Sequence, residues 1–157
     1  MTDVRWLNES EMAAWLEFVS ASHLLERLIE EQLKEASDLT HPQYEILVHL
    51  ADAPDWQLRM SELARRVVIT KSGLTYQIGR LEKRGLVERR RCDSDDRGIL
   101  AALTDKGMAC LKSTAPGHVK VVRQNLIDVL DPDELAVIAR AMAKVRHAHG
   151  HHEHTGH

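Results

Sequence analysis

Lys71, Ser72, Thr75, Tyr76, Gln77 and Arg80 lie along one short stretch, and most of these side chains suit the edges and phosphates of a nucleic acid duplex. Hydroxyl and carboxamide groups both donate and accept hydrogen bonds, as base edges require, and a glutamine can pair with adenine. Lys71, Arg80, Lys83 and Arg84 carry the cations that phosphate oxygens attract. Further on, Arg97 follows Asp95 and Asp96. It has the reach and charge to enter a minor groove, with one of those carboxylates holding it in place. The charge around these residues is uneven. Residues 59–97 hold 11 Lys/Arg and 6 Asp/Glu, a net of +5, while the rest of the chain stands at −8. The overall −3 therefore conceals a basic island able to meet phosphates. The competing reading is an ordinary solvated face. The caps, the glycine and the apolar spacing around these residues argue against it.

Those residues need a scaffold, and the pattern supplies one. A chain of 157 residues is long enough for one well-buried core. Its low aromatic content, with many Leu, Ala, Glu and Arg, favours helix. Asn8 and Glu11 form a capping box that opens a long helix, with Met12, Trp15, Leu16, Val19, Leu24, Leu25, Leu28 and Leu33 at helical spacing, ending at Ser37-Asp38. Its apolar residues occupy more than one face, which suggests burial against a second chain. Thr40, Pro42 and Gln43 start a second helix that places Tyr44, Leu47 and Leu50 on one side and stops at Asp52-Ala53-Pro54.

Leu58-Arg59-Met60 reads as a short strand. Ser61 is expected to cap a short helix burying Leu63, Ala64 and Val67. Thr70 caps the next, which buries Leu74, Ile78 and Leu81 and ends at Gly85. Residues 86–91 and 99–103 form a hairpin around the loop Cys92–Gly98. Thr104 opens another helix, which Ala115-Pro116-Gly117 is expected to kink or break before 119–130. Asp131, Pro132 and Glu134 start the last helix, with Leu135, Ile138, Ala139, Met142 and Val145 on one stripe. Two short helices followed by two short strands flanking a charged loop describe a winged helix-turn-helix, which holds one helix in a major groove.

The chain resembles the MarR family of bacterial transcriptional regulators over about residues 9–146. The resemblance rests on Ser61-Glu-Leu-Ala64, Ser72 and Thr75 ahead of Arg80-Leu-Glu-Lys-Arg-Gly-Leu-Val87, the wing Asp93-x-Asp-Asp-Arg97-Gly98, and Leu103-Thr-Asp-Lys-Gly107. It implies a mainly α fold with a small β-hairpin wing, a winged helix-turn-helix lobe at 40–104, and dimerisation helices at 9–37 and 105–146. Ser72, Thr75, Gln77 and Arg80 would lie on the recognition helix. Asp96 and Arg97 would form the wing pair, with Arg97 in the minor groove. Ser61, Lys71, Tyr76 and Arg84 complete the expected DNA-contacting set. Tyr76 departs from the family's frequent arginine, which implies an altered base preference there. The expected function is a sequence-specific regulator, a ligand-responsive repressor that binds a palindromic operator as a homodimer.

The resemblance also implies a small aromatic or anionic effector in a cleft beside the dimer helices, for which Trp15, Val19, His23, Tyr44 and His118 are the candidates. Core packing is the rival explanation for Trp15 and Tyr44. Peroxide-sensing relatives use a cysteine near the chain start, which is lacking here; Cys92 and Cys110 read as reduced thiols. His41, Glu45 and His118 invite comparison with metal-sensing relatives, but a first-helix cysteine is missing. The segment 147–157 holds six histidines. It reads as a disordered tail whose His147, His149, His151, His152 and His154 can bind zinc, nickel or copper, so a metal-handling protein is the alternative function. No cofactor is required. No nucleophile elbow, phosphate loop or His-Glu metal motif argues for an enzyme. With no signal peptide or membrane-spanning apolar run, a cytoplasmic location is expected.

Overall fold

A computed structural model describes residues 3–91 and 98–150. Helix α1 spans Glu9–Ser37 and α2 spans His41–Asp52. A 3-10 turn at Pro54–Trp56 leads into β1 (Gln57–Arg59), α3 (Met60–Val67) and α4 (Lys71–Lys83). Strands β2 (Val87–Arg91) and β3 (Ile99–Leu103) follow, then α5 (Asp105–Val122), a π-helical segment at Arg123–Ile127, and α6 (Pro132–Ala148). The strand expected near residue 58 pairs antiparallel with β3, with Leu58 opposite Ala101, so the sheet has three strands in the order β1-β3-β2. The hairpin register puts Val87 opposite Leu103 and Arg91 opposite Ile99.

The caps explain most helix starts. Asn8 Oδ1 accepts the Glu11 N–H at 2.8 Å, and Glu11 Oε2 accepts the Asn8 N–H at 3.0 Å. Reciprocal boxes of the same kind start α2 with Thr40 and Gln43, and α6 with Asp131 and Glu134. Thr70 and Thr104 cap α4 and α5. Each satisfies N–H groups that a helix end leaves without an internal partner.

One expectation fails, and another holds only in part. Ser61 is not a cap: β1 runs directly into α3, the cap position is Arg59, and no side chain accepts there. Of the kink or break expected at Pro116, the break does not occur, since α5 stays helical through Val122. A proline removes one backbone donor and crowds the preceding turn, yet the helix continues past it. The departure from α-helical geometry comes later, at Arg123–Ile127.

One core unites the middle of the chain. Leu33 and Leu39 meet Ile46, Leu47 and Leu50 of α2, Leu63 of α3, Leu74, Ile78 and Leu81 of α4, and Ala101 and Leu103 of β3. The first turn of α5 closes against this core through Gly107. A Cβ at that position would lie 2.1 Å from the Leu86 carbonyl oxygen, so only glycine permits the approach. The chain's ends behave differently. The first turns of α1 expose Met12, Trp15, Leu16 and Phe18, and α6 contributes no buried residue. Among the described residues no helix is long and apolar enough to cross a membrane.

Candidate nucleic-acid interface

The α3–α4 turn sets the geometry of the basic island. α3 ends at Val68, which takes a left-handed conformation with φ 59°. Thr70 then caps α4, accepting the Gly73 N–H at 3.0 Å. Leu74, Ile78 and Leu81 face the core and roll the opposite side outward. Lys71, Ser72, Thr75, Tyr76 and Arg80 are exposed there, as the spacing predicts. Tyr76 is 63% exposed, a large side chain held in water with no structural reason to be apolar. The Thr75 hydroxyl donates to the Lys71 carbonyl at 3.0 Å.

A cleft of about 410 Å³ opens where α3, α4 and the wing converge, lined by Arg59, Met60, Ser61, Lys71, Leu74, Thr75, Arg89, Gly98 and Ile99. Ser61 sits in the first turn of α3, a helix start that no side chain caps. Such a helix start favours a phosphate oxygen. Arg89 was not foreseen from the sequence. Its Nη2 reaches the Thr75 carbonyl at 3.4 Å and its Nε pairs with Glu82 at 3.0 Å, joining the wing to α4. Strand alternation holds the clue, since Arg89 shares the face of Val87.

Two expected contacts point elsewhere. Gln77 is half-buried, and its Oε1 accepts from Gln43 Nε2 at 2.9 Å, so its acceptor is committed to α2 rather than to a base. Gln43 is only 7% exposed, so this is an interior link between helices. Arg84 donates to the Ser37 carbonyl at 2.7 Å and the Asp38 carbonyl at 3.0 Å, at the end of α1. It caps the end of that helix. Asp96 and Arg97 lie outside the described residues, as does Cys92.

The effector candidates divide into two groups. Tyr44 and His118 stack with ring centroids 4.4 Å apart, and His41 lies 6.0 Å from His118. His41 contacts Glu26 through Nδ1 at 2.9 Å and Glu45 through Nε2 at 3.2 Å, while its backbone N–H donates to Glu30 at 2.9 Å. Burial lowers the His118 pKa, helped by the nearby His41, so its ring is neutral near pH 7. Burial raises the Tyr44 and Glu45 pKa values. Among the described residues, two buried side-chain atoms find no hydrogen-bond partner, His118 Nδ1 and Gln32 Oε1. The amide of Gln32 packs against Gly117, next to His118. Trp15 and His23 do not join them. Both are exposed on α1, and Trp15 is 11 residues before Glu26, about 16 Å along the axis. Trp15 instead neighbours Phe18, at 6.5 Å. Val19 is half-buried on the same stretch of helix.

Among the described residues, no group of three or more His, Cys, Asp or Glu is arranged to hold a metal ion. His147 and His149 close α6 and its cap; His151, His152 and His154 lie outside the described residues.

Comparison with known proteins bears on this surface. The MarR family profile matches residues 37–98, the stretch that contains α2 through β2. Over 135 residues the chain is 30% identical to an HTH-type transcriptional regulator of Bacillus cereus, covering 86% of this chain and 87% of that protein. It is 37% identical over 93 residues to the HTH-type transcriptional repressor YetL of Bacillus subtilis, covering 57% of this chain and 56% of that one. The structure is similar to that of Sco3205, a MarR family transcriptional regulator from Streptomyces coelicolor solved in complex with DNA. There the TM-score is 0.90 at 40% identity, covering 94% of this chain and 92% of the other.

Proposed function

The chain belongs to the MarR family of DNA-binding transcriptional regulators, and from that premise we propose that it is a ligand-responsive repressor acting as a homodimer on a palindromic operator. The observation that carries the DNA-contacting part is the basic cleft. The uncapped start of α3, the first turn of α4 and Arg89 of the wing converge on it with cationic and hydroxyl side chains. In this reading Ser72, Thr75 and Tyr76 face bases, and Lys71, Arg80, Ser61 and Arg89 face phosphates. Asp96 and Arg97 form the wing pair by family resemblance. The solution partner is a second copy: residues 9–37 and 105–146 pair with their equivalents and cover the exposed ends of α1 and α6, while 40–104 form the DNA-binding lobe. A two-fold dimer demands half-sites about 10 bp apart. A cytoplasmic location follows from access to DNA.

The effector reading rests on the α1–α2–α5 junction, where His118 Nδ1 and Gln32 Oε1 lie buried and unpartnered beside the Tyr44 ring. The carboxylates of Glu26, Glu30 and Glu45 disfavour an anion there. An aromatic ligand with one donor and one acceptor fits better.

The test is selection of bound sequences from random duplexes, followed by gel-shift titration across a salt series. A two-fold symmetric site is expected, and Lys71→Ala should flatten the slope of log K against log salt by about one unit. Recovery of no symmetric site, or an unchanged slope, would contradict the assignment.

A further inference from the structure

We infer that Arg84 is a positioning residue that sets the distance between the two DNA-reading helices of the dimer, although its charge and place in sequence suggest a phosphate contact. The inference rests on the DNA-binding dimer proposed above. Arg84 occupies the C-cap of α4, and its guanidinium spans the last carbonyls of α1, Ser37 at 2.7 Å and Asp38 at 3.0 Å. A planar fork makes two directed bonds of this kind where a point charge cannot. It also places a fixed cation at the negative end of a long helix.

The same turn is held from the other side by α5. Lys106 Nζ donates to the Arg84 carbonyl at 2.8 Å, and the Thr104 hydroxyl donates to the Gly85 carbonyl at 2.6 Å. The end of the recognition helix is thus tied to α1 and to α5, two of the three helices assigned to the dimer. It is tied through backbone acceptors, so the link is independent of which side chains α1 carries there. Gln43 and Gln77 make a second tie, from the start of α2 to the middle of α4. Any shift of α1 relative to its partner copy is passed to α4 through these bonds, because α4 cannot swing without breaking them.

A phosphate contact and a positioning role give opposite signatures. The experiment uses the full chain and the palindrome selected by the wild type, with the spacing between half-sites changed by one base pair either way. Arg84→Ala and Arg84→Lys are compared with wild type across a salt series. We expect Arg84→Ala to reduce discrimination against the altered spacings by roughly 5-fold or more, the lower end of ordinary coupling between sites. Its salt slope should match wild type. Arg84→Lys, which keeps the cation without the fork, should recover only part of the discrimination. A slope lowered by about one with spacing preference intact makes Arg84 a phosphate contact and overturns the inference. Unchanged slope and unchanged spacing preference overturn it equally. If Arg84→Ala does not fold, Arg84→Lys alone must show the spacing loss, and wild-type behaviour of that variant defeats the proposal. A wild type that selects no site defeats the functional reading and this inference together. A wild type that selects a site, with variants that behave as phosphate mutants, defeats this inference alone.

Discussion

Gly107 shows how much one missing side chain decides. The Leu103-Thr-Asp-Lys-Gly107 element is a weak motif by itself, yet the last residue of it is where α5 meets the turn after α4. Thr104 caps the helix, its N–H donates to the Leu86 carbonyl at 3.1 Å, and Gly107 allows that carbonyl to lie against the helix. In Gly107→Ala the new methyl would collide with backbone, which cannot rotate away as a side chain can. The cost should be on the order of 2–3 kcal/mol, measured as a lower denaturation midpoint at unchanged slope. Wild-type stability in that variant would show that α5 shifts freely. Gln77 and Arg84 carry the complementary lesson. Their types suit DNA, and their spacing put them on the correct helix. Their partners, Gln43 and the end of α1, lie 34 and 46 or more residues away in sequence, so no local pattern could reveal that both were already engaged.

Among the elements, those whose ends are written in side chains were legible. Asn8, Thr40, Thr70, Thr104 and Asp131 all cap the helices that the sequence assigns to them. The apolar stripes of α3 and α4 face the core as their spacing requires. The start of α3 was misread because a serine there resembles a cap, whereas the strand before it dictates the entry. At Pro116 the helix is not broken, and α5 packs along α1 in the fold. The turn between α3 and α4 supplies a prediction. Val68 holds a left-handed backbone, which is costly for a β-branched side chain, and it is 55% exposed, so little packing depends on it. Val68→Asn should raise stability by about 1 kcal/mol, because asparagine tolerates that conformation. Thermal denaturation should show a higher Tm with DNA affinity retained. A fall in Tm would mean that the valine makes up the strain by contacts.

For the whole molecule, acid is the informative perturbant. Burial depresses the His118 and His49 pKa values below the ordinary 6.5, so the unfolded chain takes up their protons first. Their neutral state supports the fold fully above that value, and stability should fall as pH drops through it and toward their folded values. Glu45, raised by burial, works in the opposite sense at lower pH and offsets part of the loss. Glu62, whose pKa Arg65 and Arg66 hold down, loses its contribution only in the more acidic carboxylate range. Urea midpoints between pH 8 and 5.5 should therefore decline less in His118→Gln than in wild type. Parallel curves would remove His118 from the account. Protein concentration is the second perturbant. If α1 and α6 are covered by another copy, Tm should rise with concentration, and truncation before Leu135 should abolish that dependence or the fold itself. A concentration-independent Tm for the intact chain would count against the dimer.

The exposed flank of α1 has one further consequence, which concerns time. Trp15 and Phe18 lie on α1, which is synthesised before α6. During synthesis the first helix therefore waits, greasy and unmatched, for a surface that does not yet exist on its own chain. Neighbouring ribosomes on one messenger carry the same segment at staggered lengths. Pairing between nascent chains would shelter it sooner than any event within a single chain, and would bias subunits toward siblings from one transcript over strangers met by diffusion.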